Sequence, residues 1–117
     1  MANLAIIDLV EAGALHTTAA AAGGGDTITP AVGDSRNFLL FVNNGGGSSI
    51  TVTIDDPTSQ TPAAATTFNP DQAVTVVNAT ARSILIRTNR VLNTATGLIS
   101  ITYSAVTTVT VAVYRLP

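Results

Sequence analysis

Cysteine is absent from the 117 residues, and so are lysine and tryptophan. The first absence removes disulfides, thiolate nucleophiles and cysteine-held metals together, and leaves the redox compartment open. Without lysine there is no Gly-Lys-Ser/Thr phosphate loop, so Gly23-Gly24-Gly25-Asp26 is expected to be a turn. Charge is scarce as well, at 10% of residues and a net −2. That is too little of either sign for electrostatic capture of nucleic acid or of an anionic membrane, so neither is expected as a partner. With no Trp and only Tyr103, Tyr114 and three Phe, the chain also lacks the exposed aromatics on which sugars usually stack.

Catalytic constellations are equally thin. The single histidine, His16, has no sequence neighbour that suggests a triad or a metal cluster, and is expected to be a structural residue. No Gly-x-Ser-x-Gly elbow appears, and Asp55-Asp56, Asp26 and Asp34 do not form an alternating Asp/Asn-Gly calcium loop closed by Glu. Asn78-Ala79-Thr80 matches a glycosylation sequon, but is expected to be a polar turn. The expectation is a protein that is not an enzyme, with no cofactor and no metal.

Nor is there a run that spans a membrane. Residues 91–114 carry no charge, yet Asn93, Gly97 and several Ser and Thr interrupt them, so they are expected to form two strands. Residues 1–13, MANLAIIDLVEAG, have no Lys or Arg ahead of the apolar stretch and meet Asp8 and Glu11 early, unlike a secretory leader. The expected site of synthesis and residence is therefore the same compartment.

What is present is β pattern. Phe38, Leu40 and Val42 alternate with Leu39 and Phe41, a Gly-rich break follows at 43–47, and Ile50, Val52 and Ile54 then alternate with Thr51 and Thr53. This is a hairpin with a long tip. Its second strand has one apolar and one Thr face, whereas its first is apolar on both faces and so must be central or covered. Further strands are expected at 4–10, 27–29, 73–77, 83–87, 98–103 and 108–114. The sum is an all-β, single-domain antiparallel β-sandwich, jelly-roll-like, with about eight short strands over 1–117. A short N-terminal arm or strand at about 2–10 and a long Pro- and Ala/Thr-rich loop at about 56–71 complete it.

Low surface charge favours a chain bound to copies of itself or to a larger assembly. Arg82, Arg87 and Arg90 form the only local basic cluster, and Arg is enriched at interfaces for its bidentate contacts. The segments AAAAGGGD at 19–26, NFLLFV at 37–42, NNGGGSSITVTI at 43–54 and GLISITYSAVTTVTVAVYRLP at 97–117 resemble the head decoration, or cement, proteins of tailed bacteriophages. The resemblance covers most of the chain, least between 55 and 71, and rests on short β motifs. It implies a sandwich subunit, usually a homotrimer, made in the bacterial cytoplasm and sitting on the outer surface of the virion head, where it clamps neighbouring major capsid protein subunits. A neck- or tail-associated virion protein of low copy number is the alternative, and a carbohydrate- or host-surface-binding module a more distant one. The expected contact residues are Leu4, Ile6 and Ile7 of the arm, Arg82, Arg87 and Arg90, and Tyr114 with Arg115 near the C-terminus.

Overall fold

Alternation in the sequence translates directly into two packed sheets. The computed structural model describes residues 2–8, 13, 17–31, 36–57, 71–93 and 96–116. His16, Asp34, Glu11, arm residues 9–10 and loop residues 58–70 lie outside that set. The strands are β1 (Ala2–Asn3), β2 (Ile6–Asp8), β3 (Ala19–Ala20), β4 (Asp26–Ile28), β5 (Phe38–Asn44), β6 (Ile50–Ile54), β7 (Gln72–Val76), β8 (Thr80–Ile86), β9 (Ile99–Tyr103) and β10 (Val109–Arg115). A single helical turn, α1 (Thr88–Val91), falls in the connection expected to be irregular. Sheet A runs β1-β4-β9-β6-β7, and sheet B runs β2-β10-β5-β8 with β3 also on β10.

The pairing has a simple rule. β6 pairs with β7, β5 with β8, β4 with β9 and β3 with β10, all antiparallel, and successive pairs alternate between the sheets. Strands β3 to β10 thus follow one long hairpin that turns back between β6 and β7, wound round a core. That winding is a jelly roll of eight strands, the architecture expected from the sequence. Only the arm departs from antiparallel order. β1 pairs in parallel with β4 and β2 in parallel with β10, so the arm or strand expected at about 2–10 holds, among its described residues, two short strands belonging to different sheets. Leu4 is the reason: it lies between them, 6% exposed, with its side chain in the core and its N–H donating to the Thr27 carbonyl at 2.8 Å.

The core is filled by one face of the strands from β4 onward, with Leu4 of the arm. Phe38, Leu40 and Val42 of β5 meet Val52 and Ile54 of β6, Ile84 and Ile86 of β8, Ile99 and Ile101 of β9 and Val113 of β10, all buried. β-branched residues dominate because they pack well on a pleated surface, and each such side chain contributes roughly 1.5–3 kcal/mol when fully buried. Buried Asn44 ends β5 by donating from Nδ2 to the carbonyls of Ser48 at 2.9 Å and Val76 at 3.0 Å, while its Oδ1 accepts the Gly46 N–H at 3.1 Å. One side chain thereby fastens the Gly-rich tip of the 38–54 hairpin to β7.

The Gly23-Gly24-Gly25-Asp26 segment is a turn, as its missing lysine suggested. The Gly25 N–H donates to the Ala22 carbonyl at 3.0 Å, and Asp26 Oδ2 accepts the Ala22 N–H at 3.3 Å. Gly25 has a φ of +95°, and a Cβ there would sit 2.6 Å from the Ile101 carbonyl oxygen. Both the left-handed backbone and the close approach of β9 demand glycine. Gly25→Ala is expected to cost about 3 kcal/mol, read as a lower urea midpoint at unchanged m-value. Loss of under about 0.5 kcal/mol would contradict this close packing.

Candidate interaction surface

The outward faces of the two sheets differ in kind. On sheet A the residues opposite the core are Thr51 and Thr53 of β6, Ala73 and Thr75 of β7, and Ser100 and Thr102 of β9, a carpet of small hydroxyl side chains. On sheet B the register sets Ile7 beside Tyr114, Tyr114 beside Leu39 and Leu39 beside Leu85, one apolar row across β2, β10, β5 and β8. The next row is Ala112, Phe41 and Ser83, and the one after it Thr110, Asn43 and Ala81. None of these positions is charged. Leu85 is 43% exposed, while Ile7, Leu39, Phe41 and Tyr114 are half-buried.

The double-sided apolar pattern of FLLFV therefore has two different explanations in one strand. Phe38, Leu40 and Val42 are core, and β5 is central in sheet B. Leu39 and Phe41 face outward and are only partly covered by the chain itself. An apolar row across four strands is more than scattered surface leucine, and such a patch commonly marks a site of association.

The eight sequence-selected contact residues separate into three groups. Ile7 and Tyr114 come together in the apolar row. Leu4 and Ile6 turn towards the core, Leu4 within it and Ile6 packed against it. The arginines are spread over different environments. Arg115 Nε donates to Asp8 Oδ1 at 2.6 Å, joining β10 to β2, and Arg90 Nε donates to Asp56 Oδ2 at 3.2 Å, joining α1 to the end of β6. Arg82 and Arg87 are exposed on and just after β8. Arg87 and Arg90 line, with Gln72, Leu85 and Val91, an open cleft of about 390 Å³ where β7 and β8 approach. Leu39, Phe41 and Leu85 were not selected from sequence. Their signal was the apolar outward half of β5, which becomes legible as a surface only once no described strand or helix is found to lie over that face of β5.

Titratable groups concentrate at two places away from that face. At the base of the 56–71 connection the Asp56 N–H donates to Asp71 Oδ1 at 2.8 Å. Partial burial, and then the adjacent Asp71 carboxylate, holds the Asp55 carboxyl above its ordinary range. Inside sheet A, Asp26 is fully buried, and its Oδ2 accepts the Tyr103 hydroxyl at 2.7 Å. Burial first, and that hydrogen bond second, push the Tyr103 hydroxyl far above the usual tyrosine value. Among the described residues no group of three or more His, Asp or Glu is placed to hold a metal ion, and no helix is long and apolar enough to cross a membrane.

Fold and surface together describe a jelly-roll sandwich with one hydroxyl-rich face and one uncharged apolar face. Comparison with known protein families, with curated proteins and with solved structures gave no match.

Proposed function

We propose that this chain is a structural virion protein that binds the outer surface of an assembled tailed-phage capsid and cements neighbouring major capsid subunits, acting as a homotrimer. The observation that carries the reading is the apolar row Ile7, Tyr114, Leu39 and Leu85 on an otherwise charge-poor jelly roll. The resemblance of the β segments to phage cement proteins supplies the partner. Jelly rolls serve many functions, so the fold by itself does not select this one.

The physical logic of cementing suits such a surface. A protein that contacts several capsid subunits at once needs no single strong anchor, because weak contacts multiply once the first has formed. Binding only the assembled lattice stabilises it by mass action. A low net charge of −2 keeps long-range repulsion between closely spaced copies small.

Purified chain added to capsids that lack it is expected to co-sediment saturably and to raise the temperature at which the capsids rupture. No binding to capsids at micromolar concentration would contradict the proposal.

A further inference from the structure

The N-terminal arm closes one lateral opening of the sandwich. β1 adds to the β4 edge of sheet A and β2 to the β10 edge of sheet B, with Leu4 plugged between them. Its hold is slight in ladder terms, since only Ala2 and Asn3 pair with β4 and only Ile6 to Asp8 pair with β10. Specificity comes from three side chains: Leu4 in the core, Asn3 Oδ1 accepting the Thr29 hydroxyl at 2.9 Å, and Asp8 on Arg115. The seat is also incompletely filled. A partly open, mostly apolar pocket of about 70 Å³, lined by Leu4, Ile7, Thr17, Thr18, Val111 and Val113 among others, remains between the arm and β10. Side chains along this pocket lack packing partners on one side, so contacts are forfeited there.

The connector is longer than the closed arrangement needs. Asp8 pairs with Arg115 and Ala19 with Val111 on the same edge of β10. Those partners lie about 13 Å apart along the strand at roughly 3.3 Å per residue. Residues 9–18, which join them, can extend to about 33 Å. That slack would let the arm leave its own body and still reach an adjacent one.

We propose that the seat between β4 and β10 is an exchange site, occupied in the assembled protein by residues 2–8 of a second copy of this chain. The second copy is the occupant that fits by construction, because the same sequence restores the same ladders, fills the same Leu4 socket and brings an Asp8 to the neighbour's Arg115. Exchange alters only the path of the connector, which is why swapping an identical element is a low-cost route to association. It requires copies already in contact, so it rests on the homotrimer of the proposed function, for which the apolar face of sheet B is the contact between copies. It does not depend on a capsid.

The absence of cysteine makes a clean trap possible. Asn3 and Thr27 are ladder partners, and neighbouring strand positions fall within the roughly 4.4–6.8 Å Cα separation a disulfide needs. Chains carrying Asn3→Cys and isotope-labelled chains carrying Thr27→Cys are mixed, oxidised gently and run denatured without reductant. Exchange is expected to yield mixed-variant disulfide pairs in at least tenfold excess over same-variant pairs. The double variant is then expected to give covalent multimers. An oligomeric double variant that forms only internal disulfides, with no mixed pairs between the single variants, would overturn exchange and leave the face contact standing. A chain that stays monomeric at every concentration would overturn both. Ile7→Cys with Tyr114→Cys traps the β2 ladder in the same way, should either first variant fail to fold.

Discussion

Leu39→Asp is expected to leave the sandwich folded and to weaken both self-association and capsid binding by at least 100-fold. Leu39 lies mid-row, between Tyr114 and Leu85, with its side chain on the side of β5 opposite the core. In a free chain an aspartate there remains hydrated, so folding is affected little. In a contact it becomes an unpaired buried charge, which costs about 3–5 kcal/mol, and every 1.4 kcal/mol is a factor of ten in affinity. Co-sedimentation measures the binding and circular dichroism the fold. The control is Thr53→Asp, on the outward face of sheet A, expected to change binding by less than about twofold. Loss of binding from Thr53→Asp with Leu39→Asp unaffected would move the contact to the other face.

Tyr103→Phe is expected to destabilise the fold by about 3 kcal/mol. The fully buried Asp26 carboxylate would keep only the 3.3 Å bond from the Ala22 N–H, since its Oδ1 has no hydrogen-bond partner. Leaving a buried charged acceptor short of donors costs far more than an average hydrogen bond contributes. Adding Asp26→Asn to Tyr103→Phe removes the charge and is expected to recover at least about 1 kcal/mol, giving a non-additive cycle. The pair also sets an alkaline limit. Because the folded hydroxyl is held protonated above its ordinary value of about 10, its stabilisation is complete below that pH. It is lost as pH rises beyond, where the unfolded chain ionises and the folded one resists. Denaturation at pH 8 to 11 should therefore show a steeper loss for the native sequence than for Tyr103→Phe. Parallel curves would mean that the hydroxyl is not shielded.

Much of the roll was legible because its signal is local. ITVTI alternates without interruption, so the inward Ile50, Val52 and Ile54 and the outward Thr51 and Thr53 follow from period-two geometry alone. The strand near 83–87 begins earlier in the structure, at Thr80, because exposed Thr80 to Ser83 carry no apolar alternation and are held by pairing with β5. β3 falls where the sequence pattern gives no strand. Two alanines have little strand preference of their own, and only the free edge of β10 makes them a strand.

The arm shows the same limit from the other direction. LAIIDLV looks like one strand because apolar residues follow each other closely, but a strand continuing through Leu4 could not bury that side chain while pairing on both sheets. The outward apolar row was half legible. Ile7 and Tyr114 were selected from opposite ends of the sequence, and the register makes them neighbours. Leu39 and Leu85 complete the row through pairings that depend on the whole winding, which no local pattern carries.

The copy number of this chain per particle, relative to the major capsid protein and measured by quantitative mass spectrometry of purified virions, tests the cementing role most directly. Near-equimolar abundance is the expected result, since a protein that tiles the shell must be present about as often as the subunits it bridges. A handful of copies would place it at the neck or tail instead, and complete absence from the particle would contradict a virion role altogether.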